Sequence, residues 1–141
     1  MATPAIRVSG AGLLAGAIAL GASACSSPTI ETELLAAITA SDGHNVRLDA
    51  VVDGNWDRFL VVCPYDPNVN ERLGFEWDAA PDTNVSDSSQ MIVFVENERV
   101  VSTNSFRFDN IDLCTGVWEL LPRDAALRFT RPAEHVWHAV L

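Results

Sequence analysis

A chain of 141 residues, 48% of them apolar, has enough material for one hydrophobic core and is too short to need two. Nineteen acidic residues against nine basic ones give a formal charge of −10. That balance opposes binding to nucleic acid or to anionic lipid headgroups, both of which reward clustered cations.

All nine cations are Arg and none is Lys, a usage that fits codon bias in a GC-rich bacterial genome of the actinobacterial type. The acids are scattered singly, as on a solvated surface.

The first feature along the chain is an uncharged run from Ala11 to Ala24, 14 residues of mostly Ala, Gly, Leu and Ile, preceded by Arg7 and followed by Cys25-Ser26-Ser27. A positive residue, an apolar stretch of about 7 to 15 residues and small residues before a cut are the parts of an export signal. The run falls short of the roughly 18 residues that span a bilayer as a helix. Two cleavage chemistries fit the same place. Ala22-Ser23-Ala24 suits ordinary secretion, and Ala22-Ser23-Ala24-Cys25 resembles the bacterial lipobox, with Ala22 where a branched apolar residue is usual.

The lipoprotein reading leads: residues 1–24 as signal, 25–28 as tether, and 29–141 as one domain. It makes Cys25 the lipid-attachment residue and the lipid its membrane partner, since two acyl chains hold a protein where one does so only marginally. It also leaves Cys63 and Cys114 as an even pair for an oxidising compartment. The part after residue 24 carries eight Arg and all 19 acids, a charge of −11.

From Thr29 the pattern predicts a helix: Thr29 can cap, Glu31 and Glu33 complement the dipole, and Ile30, Leu34, Ala37 and Ile38 share a face. Ser41-Asp42-Gly43 stops it. Val46 to Val52 alternates in part, as in a strand. After the turn Asp53-Gly54-Asn55, the run Phe59-Leu60-Val61-Val62 reads as a buried strand ended by Pro64.

Asn68 to Phe75 predicts a short helix stopped at Gly74, and Asp78 to Ser89 a polar, mobile loop. Met91 to Val95 and Arg99 to Phe108 predict a hairpin turning at Asn97-Glu98. Ala126 to Thr130 and His135 to Val140 predict two more strands. Short links between many strands imply an α+β fold, in which an N-terminal helix and a short second helix pack on one face of a mainly antiparallel sheet.

The residues capable of chemistry are few. A bridge between Cys63 and Cys114, 51 positions apart, would stabilise so small a domain by about 4 kcal/mol; two buried free thiols are the alternative. Without a C-x-x-C pair a redox role is weak. His135 and His138 would point to opposite faces of a strand, which disfavours a joint metal site, and His44 stands alone in a turn. Asp53 and Asp57 flank Trp56 as a turn and a strand start. No nucleophile motif, phosphate loop or cofactor motif is present.

Of the four Trp, at 56, 77, 118 and 137, most belong in the core, and Trp56 and Trp77 with Tyr65 make up the candidate binding patch. Arg99 and Arg107 can pair with surface acids at little gain.

Trp56-Asp57-Arg58, Pro64-Tyr65, Leu73-Gly74 and Trp77, followed by Ile92-Val93-Phe94-Val95, resemble a pattern in small bacterial exported proteins and lipoproteins of uncharacterised function. The resemblance covers about Asn55 to Asp109 and implies an exported address and no particular reaction. Cys63 stands where that grouping commonly has a small residue, as an added disulfide would explain.

These readings lead to an expected function: a non-enzymatic, lipid-anchored domain on the extracytoplasmic face of the cell membrane, binding a protein or another envelope component and requiring no cofactor. Small-molecule binding at one end of the sheet is the alternative, and an enzyme the third reading.

Overall fold

The computed structural model describes residues 26–84, 87–132 and 135–140. The export signal and Cys25 lie outside the described residues. Helix α1 covers Ile30–Ala40, with Thr29 Oγ1 accepting the Thr32 N–H at 3.2 Å and Glu31 and Glu33 in its first turn. Its end is closed by two backbone bonds, Gly43 N–H to Ile38 O and Asp42 N–H to Thr39 O. This is the Schellman arrangement, with Asp42 itself in the left-handed region at φ 50°. Leu34 and Ile38, one turn apart, are fully buried.

Eight strands follow: β1 (Val46–Arg47), β2 (Arg58–Val62), β3 (Ser89–Glu96), β4 (Arg99–Arg107), β5 (Ile111–Asp112), β6 (Leu121–Pro122), β7 (Ala126–Thr130) and β8 (Trp137–Val140), with helix α2 at Val69–Leu73 between β2 and β3. They form two four-stranded sheets, ordered β1-β7-β8-β5 and β4-β3-β2-β6. Every pair is antiparallel except β5 with β8. The fold is α+β. Among the described residues no helix is long and apolar enough to cross a membrane.

The sheets share one core. Phe59, Val61, Ile92 and Phe94 from one sheet meet Val46, Leu127, Phe129, Trp137 and Ala139 from the other, with Leu34 and Ile38 of α1. The alternate residues of the central strands, Leu60, Val62, Val93 and Val95, face the opposite way and are covered by Val69 and Leu73 of α2. The two helices therefore serve opposite sides of the β2–β3 pair, which corrects the expectation of one sheet with both helices on one face. The reason is visible in β2 and β3, whose runs are apolar at successive positions and so need cover on both sides.

The hairpin turns at Asn97-Glu98, both at positive φ (49° and 59°), the two-residue type I′ geometry. α2 ends at Gly74, φ 79°. The strand expected over Val46 to Val52 stops after Arg47. β7 offers partners only opposite Val46 and Arg47, and Leu48–Ala50 tightens into a 3-10 turn that buries Leu48. β5 and β6, two residues each, carry no periodic signal, and Pro122 fits because β6 is an edge strand.

Candidate functional site

The disulfide joins Cys63 to Cys114 with Cα atoms 5.8 Å apart. Cys63 follows β2 and Cys114 follows β5, so the bridge ties one sheet to the other. Two residues after Cys63 stands Tyr65, and four after Cys114 stands Trp118. These are the two most exposed large apolar side chains among the described residues, at 61% and 53%.

A second tie holds the same two segments together. The guanidinium of Arg72, on α2, donates to Asp66 Oδ2, to the Val61 carbonyl at 2.9 Å and, through Nε, to the Trp118 carbonyl at 2.9 Å. One planar fork thus fixes the residue after Tyr65 and the backbone of Trp118 itself. The Asp66 carboxylate is almost wholly buried, with 6% of its side chain exposed, and the pair is charge-assisted. Burial lowers the pKa of Arg72 from its ordinary value.

The turn under Tyr65 is held a third way. Its N–H donates to the Thr83 carbonyl at 2.9 Å, and the Thr83 hydroxyl donates back to the Asp66 carbonyl at 2.8 Å. The loop expected to be mobile from Asp78 to Ser89 is therefore tied down at Thr83. Tyr65 sits at φ 60°, a left-handed conformation that costs a non-glycine residue on the order of 1–2 kcal/mol and that the surrounding bonds sustain. Two hollows of about 150 and 240 Å³ open beside the Pro81-Asp82-Thr83 segment. Both are smaller than the roughly 300 Å³ at which small-molecule sites begin. The chemistry on offer at this corner is that of a surface: two aromatic faces on stiff supports.

The patch expected from Trp56, Tyr65 and Trp77 is not brought together. Trp56 is buried in the shared core, stacked under the Arg123 guanidinium at 4.4 Å and edge-on to Phe59. Trp77 packs against the core on the other side of β2 and β3. Tyr65 alone of the three is exposed; the other exposed aromatic is Trp118, on the segment that the disulfide and Arg72 tie to that of Tyr65. The cue in the sequence was the equivalence of Cys63-x-Tyr65 and Cys114-x-x-x-Trp118 once the bridge is granted; hydrophobicity alone ranks all four Trp alike.

Other candidates are accounted for locally. Asp57 accepts from Arg58 and caps the hairpin turn through the Asn97 N–H at 3.2 Å, and no bond joins it to Asp53 among the described residues. Arg107 pairs with Asp109. His138 lies 3.5 Å from Asp112, its register partner across β5 and β8, while His135 lies beside Arg131. No group of three His, Cys, Asp or Glu converges as a metal site among the described residues.

The chain matches no family model, no curated protein and no solved structure.

Proposed function

We propose that this protein is an envelope lipoprotein, anchored through Cys25 on the extracytoplasmic face, whose domain binds a protein partner at the Tyr65–Trp118 corner without catalysing a reaction. The observation that carries the binding reading is the pairing itself. The segments that carry the two exposed aromatics are tied together by a disulfide and one guanidinium, so holding their backbone for binding costs little further entropy. Tyr and Trp are the usual anchors of protein interfaces, and small flanking hollows suit side chains of a partner better than a whole ligand. The charge of −11 beyond residue 24 favours a cationic partner surface, through steering and complementarity. The export signal, the lipobox-like Cys25 and a disulfide formed in an oxidising compartment support the address.

The test is a photo-crosslinking side chain placed at Trp118, and separately at Val101, in cells of the source organism. A discrete adduct at 118 that is absent at 101 and lost on Tyr65→Ala is the expected result. Equal labelling at both positions, or no adduct at 118, overturns the reading.

A further inference from the structure

Arg128 and Arg131, like Arg99 on the hairpin, differ from the other described cations of this acidic chain, and the two line one hollow. Arg47, Arg58, Arg72 and Arg107 each pair with a carboxylate, and Arg123 donates to the Gly54 and Trp56 carbonyls. Among the described residues neither Arg128 nor Arg131 meets a carboxylate. Both line a hollow of about 390 Å³, together with His44, Asp42 and Trp137, a volume within the roughly 300 to 1,000 Å³ of small-molecule sites.

The fold builds this hollow from separate parts. Strand alternation buries Leu127 and Phe129 and turns Arg128 and Thr130 outward. Arg131, just past the strand, carries its guanidinium 5.6 Å from the Trp137 ring. His44 arrives on the turn that ends α1, which lies flush on β7: the Gly43 carbonyl accepts the Phe129 N–H at 2.8 Å. A Cβ at Gly43 would stand 2.3 Å from the Phe129 carbonyl oxygen, so this seating requires glycine.

A charge of −11 repels anions from the surface at large. Two guanidiniums that meet no carboxylate among the described residues stand in one concavity and outnumber Asp42 there, and guanidinium forks match the oxygens of carboxylate and phosphoryl groups. We propose that this hollow binds a small organic anion through a single carboxylate or phosphoryl group held by Arg128 and Arg131, with His44 as a third donor. Asp42 on the same wall repels further negative charge, so a ligand with one anionic group is preferred over a polyanion. This site shares no residue with the Tyr65–Trp118 corner and stands independently of it.

The experiment titrates the full-length protein with sodium benzoate and with sodium phosphate, following the Trp137 indole N–H by NMR. Saturable shifts with benzoate alone, phosphate alone or both support the site, and the pattern assigns the anion class. Arg128→Gln with Arg131→Gln weakens binding at least tenfold, while Arg99→Gln on the hairpin leaves it unchanged. If the double variant loses its fold, Arg128→Gln alone, on an exposed strand face, carries the same expectation with a threefold or larger effect. No saturable shift with either anion, or equal weakening by Arg99→Gln, overturns the proposal.

Discussion

Gln90 on β3 reaches out of its own sheet and accepts the Leu113 N–H at 2.8 Å, while its amide nitrogen donates to the Ile111 carbonyl at 2.6 Å. Among the described residues it is the buried polar side chain of the core, 1% exposed, and it lies beside the disulfide that joins the same two sheets. Replacing it with Leu keeps the bulk and leaves the Leu113 N–H buried without its acceptor, which costs about 1–3 kcal/mol. Urea unfolding of Gln90→Leu should show a loss in that range. A loss below about 0.5 kcal/mol, the scale of an ordinary surface substitution, would mean that the backbone finds other partners.

Arg72→Ala removes three hydrogen bonds at once and strands the Asp66 carboxylate. Breaking a buried pair from one side costs about 3–5 kcal/mol, and the lower end applies because Arg72 keeps 18% of its side chain exposed. Arg72→Met paired with Asp66→Leu should recover part of that loss, since the charge penalty disappears with both partners. A double variant no more stable than Arg72→Ala would show that the geometry of the fork, and not the charge, holds the corner.

Gly43 and Gly74 have nearly the same backbone, φ 76° and 79°, in different surroundings. At Gly74 an added Cβ meets nothing within 4 Å, whereas at Gly43 it meets backbone at 2.3 Å. Gly74→Ala therefore costs only the left-handed penalty, about 1–2 kcal/mol. Gly43→Ala adds overpacking of about 1–3 kcal/mol, because the turn after α1 must lift off β7. Equal melting temperatures for the two variants would refute the close approach.

Opening the bridge with Cys63→Ser and Cys114→Ser should destabilise the domain by about 4 kcal/mol on the chain-entropy relation for a 51-residue loop. Mass analysis after alkylation without reductant should find both thiols protected in the wild type. Uptake of label at both positions would remove the disulfide from the account.

Cys25→Ala in the full chain should move the protein from the membrane fraction to the soluble exported fraction and abolish a lipid mass increment on the processed wild type. Membrane retention by the Ala variant, with wild type recovered at its unlipidated mass, would reject the anchor.

Local signals were legible along the chain wherever the physics is local. Thr29, Glu31 and Gly43 mark the ends of α1, Asn97-Glu98 marks the hairpin, Gly74 stops α2, and the parity of three cysteines points to Cys63 with Cys114. The helix and turn signals depend on backbone conformation or side-chain chemistry within a few residues, and the cysteine parity on a count over the whole chain. The doubly covered β2 was also foreshadowed, since Phe59 to Val62 has no polar face to leave in water.

Division into two sheets, the placement of the helices on opposite sides, and the choice of which Trp stays exposed were decided by tertiary structure alone. Trp56 and Trp118 are equally apolar in sequence; one lies under Arg123 within the shared core, and the other is carried outward by a turn that Arg72 and the disulfide hold. Arg72 bonds residues 6, 11 and 46 positions away, and Arg128 meets His44 in one hollow only because Gly43 lies flush on β7. Such encounters depend on how long-range pairing closes loops, a cooperative property of the whole chain that no short window contains.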